Sequence, residues 1–385
     1  MHVSLDSALG RQRRLNSVGE SVLQIAPNAA AAYSLRSLTG GDPKVVRVRR
    51  DTDNAEQDFT ASGVSSGALV DFATSGNGVF ANTGYESFTN ASASGFTASN
   101  TGSTGFAVSD ILDGVSGDSV SVSFDIDITN GSPGISLRTA LNGGSTASNG
   151  IVYTTSGSKT ATLTGNKGYV GVGFTEGDAP SNFTVSNFKV LGNGFVETWY
   201  DQSGNSNDAV QATAGSQPKI VNSGTLLNEL DFDGTNDTFS IDFGADLSQA
   251  SSIFMVHQSD TTTATSNEFF DSASGANPRT LLDQSGTDYR IFSTGASVGT
   301  GVAMTTDKSL IFALYNGTSS LFAKNGTPTS ALNAGTTDIN QNSVLGSSGA
   351  RFYNGSMQEV IIYNSDQSSN RVALETNINS HYSIF

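Results

Sequence analysis

This chain predicts an all-β fold of two sandwiches with two small helices, and three observations carry that prediction. Gly 43, Ser 56, Thr 40 and Asn 31 supply 170 of the 385 residues, and only 14% are charged. That is the usage of short strands joined by tight turns, not of helices. Runs with a period of two recur along the chain, as a strand with one buried face requires. The hydrophobic fraction is 36%, with 22 Phe and 10 Tyr, enough apolar area to fill real cores.

The elements follow in order. Leu15, Val18, Val22 and Ile25 make a helical stripe that Pro27 ends. With Arg11, Arg13 and Arg14, this reads residues 1–28 as a basic arm that docks on a partner; a helix packed on its own domain is the rival reading. From 29 to 60, Val46 and Val48 alternate with Arg47 and Arg49 as in a half-buried strand. Residues 61–194 are poorer in charge and hold clean strands: Val120, Val122, Phe124, Ile126 and Ile128 on one face, Ser121, Ser123, Asp125 and Asp127 on the other. Their length and turn spacing suit one complete sandwich. Residues 195–385 carry strands at Ile253–His257, Tyr289–Phe292, Leu310–Tyr315, Leu321–Lys324 and Met357–Tyr363, with Asn325-Gly326 as a hairpin turn. Leu374, Ile378 and Tyr382 predict a closing amphipathic helix.

Charge and composition exclude several classes. The net charge of −16 repels nucleic acid and anionic membrane surfaces. No apolar run is long enough to span a bilayer, and the first residues hold no signal-peptide apolar region. Cysteine is absent, so there is no disulfide framework, thiolate metal site or cysteine nucleophile. Gly63-Val-Ser65-Ser-Gly67 and Gly295-Ala-Ser297-Val-Gly299 match the nucleophile elbow only as a Gly- and Ser-rich chain does by chance.

The segments Ala29–Leu38, Val45–Phe59, Trp199–Thr213 (WYDQSGNSNDAVQAT), Gln217–Val221 and Leu230–Asp237 (LDFDGTND) resemble a family of phage and marine viral structural proteins with a concanavalin A-like, laminin-G-type domain. The same YDQSGN block is similar to the catalytic domain of family 54 α-L-arabinofuranosidases. The resemblance implies a concanavalin A-like β-sandwich from 29–60 plus 195–385, interrupted by a jelly roll at 61–194 that looks like a carbohydrate-binding module. It also implies a virion surface protein, a capsid decoration or a tail fibre, docked to other virion proteins through its arm. Such a protein would form a homo-oligomer such as a trimer and present its sandwiches for host-glycan attachment. A free glycan-binding adhesin and an arabinofuranosidase-like glycosidase are the alternatives.

The resemblance places the glycosidase acids near Val344–Ala350 and Arg279–Leu282, and neither stretch holds a carboxylate. A retaining glycosidase needs two carboxyls about 5–5.5 Å apart, so the chain is expected not to be an enzyme. Glu268, Asp271 and Asp283 are the acids near enough to overturn this. The sugar-binding candidates are Trp199, Tyr200, Asp201, Gln202 and Asn205, with Tyr85, Phe88 and Phe96 in the insert; the rival reading of the Trp199 block is a core ring beside a hydrogen-bonded turn. No cofactor is expected. Asp231, Asp233 and Asp237 could offer oxygen ligands to calcium, and a strand running into a turn at Gly234 explains them equally well. His257 is expected as a strand-end residue.

Overall fold

The computed structural model describes residues 19–385 except 75–79, 83–86, 101–105, 111–118, 131–134, 142–145, 165–168, 176–180, 263–265, 274 and 295. The chain is all-β, built from antiparallel sheets. One large sheet runs in the order Glu56–Thr60, Lys44–Arg50, Gly194–Trp199, Lys219–Asn222, Thr225–Asp233, Asn354–Tyr363, Ser251–Ser259, Ser309–Tyr315, Leu321–Lys324. The strand Ala31–Ser34 pairs with the second half of Asn354–Tyr363. The facing sheet runs Ala209–Val210, Phe239–Asp242, Asn342–Leu345, Ser266–Asp271, Thr280–Ser285, Asp288–Ser293, Ala296–Ala303.

Alternation along these strands sends Val46, Val48, Val196, Leu230, Phe232, Ile253, Met255, Leu282, Tyr289 and Ile291 into one core between the two sheets. The opposite face of the larger sheet is covered where it meets helices. Phe254, Val256, Phe312, Leu314, Ile361 and Tyr363 form a second core with Leu374 and Ile378 of the helix Arg371–Tyr382 and with Val22 and Ala26 of the short helix Val22–Ile25 and its cap. The predicted C-terminal helix is therefore present; Leu374 and Ile378 are buried, and Tyr382 packs partly buried at its end.

The arm differs from expectation. Val22 is fully buried in this second core, and Asn377 Nδ2 donates to the Glu20 carbonyl at 2.7 Å. An apolar side chain spent on its own domain is not free to dock on a partner, so Val22 is withdrawn as a docking residue. Arg11, Arg13, Arg14, Leu15 and Val18 lie outside the described residues.

Between 81 and 190 two five-stranded sheets pair only among themselves, one centred on Ser119–Asn130 and Ser181–Val190, the other on Ile135–Leu141 and Tyr169–Thr175. Their core is aromatic: Phe80, Phe96, Phe124, Phe174, Phe183 and Phe188 are buried together, with Phe124 and Phe174 edge to face at 5.0 Å. Phe96 is thus a core ring and Phe88 stacks on it at 4.9 Å, which removes Phe96 from the sugar candidates; Tyr85 lies outside the described residues. The stretch from Ala61 that was expected to open this unit instead forms two short helices, Ala61–Ser65 and Ala68–Ala73. Their Val64, Leu69 and Ala73 pack into the larger core.

Gly355 shows how closely the central strands approach. It sits at φ +145°, and a Cβ there would lie 2.3 Å from the Gln258 carbonyl oxygen on the neighbouring strand. Gly355→Ala is expected to cost well over 1 kcal/mol, read as a lowered urea midpoint.

Candidate active site

Three neighbouring strands of the smaller sheet place an acid, an acid and a base side by side. Glu268 on Ser266–Asp271 is in register with Asp283 on Thr280–Ser285, and Asp283 with Arg290 on Asp288–Ser293. Cross-strand partners share a face. Leu282, Tyr289 and Ile291 point into the core, so Asp283 and Arg290 project from the other side of the sheet. The Glu268 and Asp283 side chains have no exposed surface.

Arg290 grips Asp283 with two hydrogen bonds, Nε to Oδ1 at 2.8 Å and Nη2 to Oδ2. Arg351 approaches Glu268 Oε1 only to 3.5 Å, and its side chain is 56% exposed. Glu268 Oε2 is buried without a hydrogen-bond partner among the described residues. Arg279 Nη1 lies 2.8 Å from Asp271 Oδ2 and 2.7 Å from Ser348 Oγ, beside the same pair.

The electrostatics follow from burial. Desolvation, reinforced by the charge of Asp283, pushes Glu268 up to about 8. Burial raises Asp283 as well, and Arg290 works against it by holding the charged form. Both carboxyls are thus pushed toward the neutral form, and Arg290 favours charge on Asp283, so Glu268 is the member of the pair that holds a proton more readily. Such a pair can give a proton to a leaving oxygen and receive one from water.

The predicted sugar block takes a different role. Trp199 is fully buried against Tyr33, with ring centroids 5.6 Å apart, so it cannot stack on a pyranose. Tyr200 donates to Asp58 at 2.7 Å. Asp201 Oδ1 accepts from the backbone N–H groups of Ala32 and Ser203, both at 2.8 Å, and Oδ2 from Asn207 N at 3.1 Å. Gln202 accepts from Leu38 N at 2.7 Å and donates to the Ser34 and Arg36 carbonyls, both at 3.0 Å. Asn205 Nδ2 donates to the Ala29 carbonyl at 2.8 Å. The block stitches residues 29–38 to the end of the strand Gly194–Trp199, which corrects the sugar-contact reading of these residues.

Asp231, Asp233 and Asp237 do come together. Asp233 Oδ1 accepts from Thr235 N and Asn236 N, at 2.8 and 3.2 Å, and Asp237 Oδ2 from Asp233 N at 3.0 Å. Burial, with the neighbouring charges of Asp233 and Asp231, pushes Asp237 up to about 6. These bonds knit the turn, and among the described residues no group of three or more His, Cys, Asp or Glu is arranged to hold a metal ion. His257 is no strand-end residue. It is fully buried between Tyr353 and Tyr289 at 3.1 and 3.0 Å, and burial pushes it down to about 3.

No family model matches the chain, and no curated protein matches it. Among solved structures, Trypanosoma rangeli sialidase is similar over 86% of this chain and 64% of its own, at 10% identity and a TM-score of 0.36. A mutant of that sialidase displaying trans-sialidase activity is similar over 47% of this chain and 31% of its own, at 15% identity and a TM-score of 0.34. A truncated AlyQ with CBM32 and alginate lyase domains is similar over 74% of this chain and 98% of its own, at 8% identity and a TM-score of 0.27. The chain thus spans from 31% to 64% of the length of these two sialidase structures.

The expectation that this chain is not an enzyme is corrected. The paired carboxylates whose absence carried that expectation are present in Glu268 and Asp283. The stretch Arg279–Leu282 ends one residue short of Asp283, which the sequence offers with Glu268 and Asp271 as an alternative acid, and the loop Val344–Ala350 leads into Arg351 instead of supplying an acid. What could have located the pair is a polar side chain set among apolar ones: Leu281-Leu282-Asp283 and Glu268-Phe269-Phe270 each place an acid on a strand where burial is forced.

Proposed function

We propose that the protein is carbohydrate-active and cleaves a glycosidic bond with Glu268 as proton donor and Asp283 as its charged partner. The observation behind this reading is the buried, in-register pair of carboxyls, with burial favouring a proton on Glu268. In the reaction the Glu268 proton passes to the leaving sugar oxygen as the C–O bond breaks, water adds its oxygen to the anomeric carbon, and the proton that water loses returns to the pair. Arg351, exposed and weakly held, is the side chain a substrate displaces to reach the acids. The sandwich resemblance read from the sequence supplies the substrate class, a glycan. The virion placement, the arm's partners, the trimer and host attachment rest on the sequence resemblance alone. The test is release of reducing ends from a panel of plant, algal and bacterial polysaccharides, with Glu268→Gln as the control. No release from any of them would overturn the reading.

A further inference from the structure

A second constellation lies on the open face of the larger sheet. Cross-strand register lines up Arg49, Phe195, Lys219 and Asp231 in one row over four strands. Their neighbours Val48, Val196, Ile220 and Leu230 are in the core, so the row faces outward. Together with Asp233 and Asp237 it lines a cleft of about 410 Å³. Neither cation there is in direct contact with a carboxylate among the described residues, although Asp51 and Glu56 act on Arg49, and Lys219 acts on Asp231 and Asp237, from farther off. Arg49 is only 9% exposed, yet its hydrogen bonds go to neutral oxygens: Gln217 Oε1 at 2.8 Å, Asn54 Oδ1 at 2.9 Å and the Ala214 carbonyl at 3.1 Å. Among the described residues neither Arg49 nor Lys219 has a carboxylate within ion-pair distance. Both lie over the Phe195 ring, at 5.0 and 5.9 Å from its centroid.

A buried guanidinium with no anion in contact is costly, and the more distant Asp51 and Glu56 offset only part of that cost. Its desolvation shows in a depressed guanidinium pKa. An anion against Arg49 and Lys219 would remove that cost. A bare anion would be repelled by the carboxylates of Asp231 and Asp233, whereas hydroxyl groups would find acceptors in them. The ligand therefore has to carry negative charge at one end and several hydroxyls at the other, within the volume of a small sugar.

We infer that this cleft binds an anionic sugar unit, bearing a carboxylate or a sulfate, with its charged group between Arg49 and Lys219 and its hydroxyls on Asp233 and Asp237. The site uses none of the residues of the Glu268–Asp283 pair and does not depend on catalysis there. The full chain would be titrated calorimetrically with an oligogalacturonate, a sulfated heparin-type oligosaccharide and a neutral oligosaccharide of equal length. At least one anionic ligand is expected to bind tenfold or more tightly than the neutral one, and more weakly as salt rises. Binding by the uronate alone identifies a carboxylate site, and by the sulfated ligand alone a sulfate site. Lys219→Ala should reduce that affinity at least tenfold and Lys219→Arg should retain it. Gly215→Trp provides a block that keeps the fold, because a Cβ at Gly215 on the cleft wall meets nothing within 4 Å. Equal binding of the neutral ligand, no binding at all, or undiminished binding by Gly215→Trp would overturn the inference.

Discussion

Glu268→Gln is expected to lower glycan hydrolysis at least a hundredfold while flattening the pH dependence of stability. The first effect follows from removing the proton that Glu268 holds, since positioned proton transfer contributes typically 10²–10⁴-fold. The second follows from linkage. Glu268 titrates at about 8 in the folded chain and near 4.3 when unfolded, so over that window the folded state binds a proton that the unfolded state has lost. Stability is therefore full below about pH 4 and falls as pH rises to about 8, with a slope of up to about 1.4 kcal/mol per pH unit. Glutamine carries its own N–H and no titrating proton, so the Glu268 share of the slope should vanish, leaving the smaller and partly opposing shares of groups such as Asp237 and His257. Activity of the native chain should likewise fall above pH 8 as the donor ionises. Urea titrations at pH 5, 7 and 9 on both proteins give the slope. A slope that shrinks in the variant, with no polysaccharide cleaved by either protein, would mark the pair as structural. Asp283→Asn is the counterpart: it strips Arg290 of its bidentate carboxylate and, as with other broken buried pairs, should cost about 3–5 kcal/mol.

Most of the fold was legible because a strand advertises itself every second residue. Leu321–Lys324 is found with the predicted ends, and Ile253–His257, Tyr289–Phe292, Leu310–Tyr315 and Met357–Tyr363 lie inside longer observed strands. The extra residues are polar strand ends such as Ser251 and Ser259, buried by neighbours in space that no local pattern records. The helices Ala61–Ser65 and Ala68–Ala73 were missed because ASGVS and ALVDFA are too short for a helical period to show. What holds them is tertiary, Val64 and Leu69 in the core and Thr60 Oγ1 accepting from Gly63 N at 3.2 Å.

The site was legible in composition and not in place. Register decides whether two acids on different strands meet, and here Glu268 and Asp283 belong to strands joined by a turn whose length the sequence leaves open. The same limit applied to the row Arg49, Phe195, Lys219 and Asp231, whose members lie up to 182 positions apart and are brought together by four strands in register. By contrast, the WYDQSGN block is conspicuous in sequence because it is local, and local conspicuousness pointed to architecture. Its side chains bond mostly to backbone groups of residues 29–38.

Asp201→Ala separates these two kinds of signal. The carboxylate accepts from three backbone N–H groups, those of Ala32, Ser203 and Asn207, and from Ser203 Oγ at 2.6 Å. Alanine leaves all of these donors in a partly buried crevice where water replaces them poorly, and each unsatisfied group costs about 1–3 kcal/mol. The expected loss is at least about 3 kcal/mol, because the strand Ala31–Ser34 would lose its anchor to the Trp199 turn as well as its hydrogen bonds. Asp201→Asn keeps an acceptor for Ala32 and Ser203 but turns an amide donor toward Asn207 N, so its cost should fall between the two. Urea midpoints at constant m-value measure both. A loss under about 1 kcal/mol for Asp201→Ala, combined with loss of glycan affinity, would return the block to a binding role. A large loss of stability with affinity per folded molecule unchanged fixes it as the seam that holds the first strand on the sandwich.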